Sequence, residues 1–182
     1  MKQLALALAV TGAFALGVPA TPANATQSYE ARVTASYASR SAHDDMVATF
    51  GVDTVKPGKY LWRDVPASAG DERVVISLGD QLAYLYRGNE LMAVASVSSG
   101  SDGRESPAGV FQILNKTPMH RSKKYDNAPM PFAQFFTDYG IALHAGANPG
   151  YPASHGCIRL PSAFAKKLYT VTEVGTPILI GA

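Results

Sequence analysis

The sequence predicts a mainly β domain with a mixed sheet and one or two short helices. Between Arg73 and Leu114, short apolar and β-branched runs alternate with turns rich in Gly, Asp and Asn. Helical spacing is clear in one short stretch, Ala163 to Thr170. An apolar run, Thr176 to Ile180, then closes the pattern as a further strand.

Residues 1–25 read as an export signal. Lys2 gives a positive start, Leu4 to Val18 is apolar but too short for a comfortable membrane span, and Ala23-Asn24-Ala25 fits a small-x-small cleavage site. The expected destination is therefore outside the cytoplasm, with no stable membrane span once the signal is removed. Residues 26–56 are rich in Ala, Ser and Thr and show little apolar periodicity, so they are expected to form a linker or loosely ordered arm. The domain proper is assigned to 57–182, opening at the Pro57-Gly58 turn. Tyr60-Leu61-Trp62 follows, and Trp62 is expected to anchor an edge of the core.

Val74 to Leu78, Leu82 to Tyr86 and Leu91 to Ser98 are separated by short turns, which points to an antiparallel meander. Gly109 to Leu114 is a fourth strand candidate. Residues 115–138 hold Pro118, Pro129, Pro131 and the basic stretch His120 to Lys124, and are expected to form a long irregular, functional loop. Ile141 to His144 resumes β character, and Ser162 is the expected N-cap of the helix over Ala163–Thr170.

The formal net charge is +2, which gives no electrostatic reason to expect nucleic acid. Chemistry concentrates at Ser154-His155-Gly156-Cys157-Ile158-Arg159. Cys157 is the only cysteine, so it cannot form a disulfide within the chain. In an oxidising compartment a lone thiol is a liability unless it works. It reads as a nucleophile, which needs a neighbouring base because an ordinary thiol is mostly protonated at neutral pH. His144 and His155 are the two candidates. His144 is favoured, because a separate strand can aim its ring at the sulfur from across the site. No carboxylate lies between Leu143 and Leu160, so a backbone carbonyl, that of Ala145, is the expected orienter of the ring. His155 is left to position the loop or touch substrate.

The N–H groups of Gly156 and Cys157 are expected to form an oxyanion hole. Arg159 suits a substrate carboxylate or a structural bond to loop carbonyls. Ser154 could bond backbone or His155. Tyr151 belongs to the loop that returns the chain to Cys157. His120 is either surface-exposed or a substrate contact, and His43 is expected to be solvated. No C-x-x-C or H-E-x-x-H spacing is present, so neither a metal nor another cofactor is expected.

His144 followed by Ser154 to Arg159 resembles the signature of the L,D-transpeptidase catalytic domain family of YkuD type. Val75 to Tyr86, Val97 to Gly100 and Ser106 to Phe111 are similar to the family's early strands and its Thr/Ser-Pro-x-Gly-x-Phe segment. The resemblance runs over roughly residues 72 to 181. The loop between His144 and Ser154 is shorter than the family's common spacing. The resemblance implies a YkuD-like β-sandwich or mixed sheet, with peptidoglycan stem peptides as donor and acceptor, in the periplasm or at the wall. It implies that Cys157 attacks the third residue of a tetrapeptide stem, releases D-alanine, and passes the acyl group to a neighbouring stem as a 3-3 crosslink. Water or a protein amine as acceptor is the alternative within that chemistry. A non-catalytic wall-binding module is the alternative outside it.

Overall fold

The computed structural model describes residues 26–182, so the segment read as an export signal lies outside the described residues. Ten strands form two sheets. The first holds β1 (Tyr60–Trp62), β2 (Glu72–Ser77), β3 (Leu82–Arg87), β4 (Glu90–Ser96), β5 (Gly109–Gln112) and β10 (Pro177–Gly181). The second holds β6 (Asn115–Arg121), β7 (Pro129–Phe135), β8 (Ala142–Ala145) and β9 (Ile158–Leu160). The helices are α1 (Tyr29–Phe50) and α2 (Ser162–Val171).

The first sheet runs in the order β1-β4-β3-β2-β10-β5. The expected meander is present as β2, β3 and β4, each antiparallel to the next. β10 inserts beside β2 as a parallel neighbour and pairs antiparallel with β5. Successive side chains of a strand point to opposite faces. Thus Val74 and Ile76 of β2 enter the main core between the sheets, while Val75 faces the other way toward α1. Both faces are covered, which is why β2 reads as an unbroken apolar run.

Three expectations need correction. Residues 26–56 are not a loose arm, because Tyr29–Phe50 is a 22-residue helix packed on the outer face of the first sheet. Ser28 caps it by accepting from the Ala31 N–H, and Gly51 closes it at φ +69°. Its buried stripe is Ala31, Ala35, Ser39, Ala42 and Met46, whose small side chains let the helix settle close to the sheet. A Cβ on Gly181 of β10 would sit 2.7 Å from the Ala35 carbonyl oxygen. Met46 packs in a cluster with Val75, Leu82, Tyr84, Tyr86, Leu91 and Val94. Tyr86 Oη donates to Asp45 at 2.6 Å and ties helix to sheet. His43, expected to be solvated, is half-buried with Nδ1 3.7 Å from Asp80 Oδ2. Thr26 extends the interaction by bridging β5 at Val110.

Residues 115–138 are the second correction. β6 and β7 pair antiparallel from Asn115–Phe135 to Arg121–Pro129, so most of this stretch is a hairpin. Pro118 and Pro131 hide that pattern, since proline breaks a strand signature, yet Pro118 is on the edge strand β6 and Pro131 on a part of β7 that pairs with β6 alone, β7 meeting β8 only at Gln134 and Phe135. The third correction is small. α2 begins at Ser162 with Pro161 at the cap position, and no side chain caps it. Its buried residues Phe164, Ala165 and Leu168 join the main core, where Phe164 meets Trp62 of β1 at 6.2 Å between ring centres. Bridges Ser98–Arg159 and Gly100–Ser154 stitch the two sheets together beside the site.

Candidate active site

β8 and β9 lie side by side in parallel, with Leu143 opposite Ile158 and His144 opposite Arg159. Leu143 and Ile158 are fully buried in the main core. Strand alternation therefore sends their neighbours His144, Cys157 and Arg159 to the opposite face. There they line one cavity of about 1050 Å³, together with Ser154 and His155. The β6–β7 hairpin supplies the facing wall through His120, Lys123, Lys124 and Tyr125.

His144 is 7% exposed, and its Nδ1 lies 2.9 Å from the Ala145 carbonyl oxygen. A carbonyl only accepts, so Nδ1 carries the proton and Nε2 is left as the basic nitrogen. Burial lowers the His144 pKa, and the positive charge of Arg159 adds to this against the pull of the Ala145 carbonyl. The ring is thus held neutral. Cys157 packs beside Met130, Ala133, Ala142 and Phe135. Burial raises its thiol pKa, opposed by a backbone hydrogen bond from Ala142 and by the charge of Arg159. A protonated thiol and a neutral imidazole share the cavity, which is the resting pair that proton transfer needs.

The loop before β9 is held rigidly. Ser154 Oγ accepts from the Gly156 N–H at 3.0 Å and donates to the Cys157 carbonyl. Ser106 Oγ donates to the Gly156 carbonyl at 2.7 Å and accepts from the Gly100 N–H at 3.0 Å. Ser154 thus bonds backbone and not His155. These bonds also correct the expected oxyanion hole, because the Gly156 N–H is committed to Ser154. The N–H of Cys157 is what remains of that pair. Gly156 sits at φ +109°, a backbone conformation that favours glycine, and a Cβ there would also have to displace the tip of Ile141, 2.9 Å away.

Arg159 makes no side-chain hydrogen bond or ion pair among the described residues. Its backbone bridges Ser98 in both directions at 3.0 Å. Its stem lies across Gly146, where a Cβ would come within 2.9 Å of Arg159 Cγ. His155 stacks on Tyr125 with ring centres 4.2 Å apart and planes 24° apart, joining the hairpin to the loop of Cys157. Its pKa is lowered by partial loss of water and then by the charges of Arg104, Arg159 and Lys124. His120 reaches the cavity and packs edge-on to Phe135. Tyr151 does not line the cavity. The residue is 62% exposed, and its carbonyl is engaged by Ser98 Oγ at 2.8 Å. Sequence reasoning missed Ser106, Gly146, Lys123, Lys124 and Tyr125 as site residues. The basic stretch His120 to Lys124 was the available signal for the last three. No group of three His, Cys, Asp or Glu side chains able to hold a metal occurs among the described residues.

Residues 71–180 match the family model of the YkuD L,D-transpeptidase catalytic domain. The chain belongs to that family. A putative L,D-transpeptidase YkuD from Bacillus licheniformis is 28% identical over 116 residues, covering 59% of this chain and 64% of that protein. The L,D-transpeptidase structure from Xylanimonas cellulosilytica superposes with a TM-score of 0.53 at 28% identity, covering 65% of this chain and 64% of that one. L,D-transpeptidase 3 from Mycobacterium tuberculosis, solved with a faropenem-derived adduct, shares the fold with a TM-score of 0.57 at 19% identity, covering 62% of this chain and 60% of that one. The chain therefore spans less than two thirds of the length of these relatives.

Proposed function

We propose that this chain is a cysteine L,D-transpeptidase that crosslinks peptidoglycan stems outside the cytoplasm. The observation that supports the reading is that His144 on β8 and Cys157, one residue before the adjacent parallel strand β9, face one cavity, with Nε2 of His144 left as the basic nitrogen. In the first half-reaction His144 Nε2 takes the thiol proton and Sγ bonds to the carbonyl carbon of the third stem residue, a diamino acid. The charge on the carbonyl oxygen faces the Cys157 N–H. The bond to D-alanine then breaks, and His144 returns its proton to the departing amine. A thioester remains.

In the second half-reaction the side-chain amine of a neighbouring stem attacks that thioester. His144 takes the proton from the amine, the C–N bond of a 3-3 crosslink forms, and the sulfur leaves to be reprotonated by His144. The cavity, about 1050 Å³, is at the upper end of the range for ligand pockets and is lined from both the β6–β7 hairpin and the loop of Cys157.

The test uses a carbapenem and then defined tetrapeptide muropeptides. One carbapenem mass should add per chain, and none in Cys157→Ala. With muropeptides, a crosslinked dimer plus free D-alanine is the expected product. Tripeptide alone would assign the thioester to hydrolysis, and an adduct on Cys157→Ala would end the proposal.

A further inference from the structure

The cavity wall carries three cations with no partner and no acid to balance them. Lys123 and Lys124 come from the turn between β6 and β7, and Arg159 comes from β9. No Asp or Glu lines the cavity, although Asp126 and Asp138 lie close by in the chain. Several cations elsewhere are answered by acids or carbonyls, while others on the open surface, such as Lys56, Lys59 and Lys166, are not. Arg63 meets Glu90 at 3.0 Å, Arg87 meets Glu72 at 2.7 Å, and Lys116 is held by the carbonyls of Tyr169 and Thr172. Among the described residues, no hydrogen bond or ion pair engages the side chains of Lys123, Lys124 or Arg159. The only contact of this kind is Lys124 Nζ over the Tyr125 ring at 5.5 Å.

The stack of Tyr125 on His155 presses the hairpin turn against the loop of Cys157, so these charges converge where a stem must enter. Their field is felt inside the site, because Arg159 and Lys124 both help keep His155 neutral. A wall of one sign raises the local concentration of the opposite charge and discriminates against ligands without it.

We infer that Lys123 and Lys124, acting with Arg159, select stems whose side carboxylates are free over stems in which those carboxylates are amides. This rests on the transpeptidase reading and names the substrate class of the same site. The ligand groups are the carboxylate beside the side-chain amine of a diaminodicarboxylic acid and the α-carboxylate of the residue before it. An amide there keeps the shape and loses the charge.

The experiment compares kcat/KM for a tetrapeptide stem with free carboxylates against the same stem with both converted to amides. The free stem should be preferred by about tenfold, and the preference should shrink as salt is raised. In K123Q/K124Q the preference should fall to less than about threefold. In K123R/K124R, which restores charge without restoring shape, it should return. Equal kcat/KM on the two stems, or a preference unchanged in K123Q/K124Q, overturns the inference while leaving the transpeptidase reading standing. Turnover of neither stem by the wild-type chain overturns both.

Discussion

At the scale of single residues, the site sets the proton inventory of its own chemistry. Burial favours the neutral form of both His144 and Cys157. Because the imidazole pKa is lowered, the base stays available on the acid side of its ordinary range. The acid limb of the kcat/KM profile should therefore lie below about 6.5, the usual histidine value. Because the thiol pKa is raised, little thiolate forms without help at neutral pH. His144→Ala should slow carbapenem acylation by about 10²- to 10⁴-fold near neutrality. The loss should narrow as pH climbs through the raised thiol value, when hydroxide does the base's work. Stopped-flow acylation from acid to alkaline pH reads both outcomes. A deficit in His144→Ala that stays constant with pH would contradict the assigned role.

At the scale of elements, much of the site was legible and the reasons differ from piece to piece. His144 and Cys157 could be paired because the chemistry of a lone thiol narrows the choice and strand residues have only two faces. The Ala145 carbonyl followed by elimination, since no carboxylate is near in sequence. The oxyanion donors were not legible. Whether the Gly156 N–H is free depends on the rotamer of Ser154, which no spacing encodes. Tyr151 was misplaced for a similar reason, since its loop contributes a carbonyl and not a ring. The β6–β7 hairpin was hidden because its prolines resemble loop punctuation. The loop of Cys157 gives a direct test at this scale. Gly156→Ala forces a side chain onto a backbone at φ +109°, and strain of this kind costs about 1–3 kcal/mol. Urea unfolding should show that loss, with slower acylation alongside. Full stability in Gly156→Ala would mean the loop tolerates a side chain and the rigidity argued above is wrong.

At the scale of the whole molecule, the family match begins at residue 71, whereas α1 at Tyr29–Phe50 already packs on the sheet ahead of it. α1 is the difference. Its contribution was illegible because its buried face is mostly alanine and serine, so apolar and polar positions contrast weakly along it. The energy of its docking rests on the few large groups it does bury. Met46 is fully buried, and Met46→Ala should cost about 2–5 kcal/mol, read as a lower urea midpoint with an unchanged slope. A shift under about half a kcal/mol would show that α1 is an appendage. Without the helix, Tyr84, Val94 and Leu91 would face water from the back of the sheet. The expected fold class and the meander stand, since they follow from strand alternation and short turns over one continuous stretch.

The seat of β10 has a consequence for how the chain comes to be. It lies between β2 and β5, far from β2 in order of synthesis, and everything on its β5 side joins the rest of that sheet through it. A nascent polypeptide still lacking Pro177–Gly181 has a gap between β5 and the other four strands of its largest sheet. That sheet can be completed only after those residues emerge, so until then β5 has no strand through which to join β2.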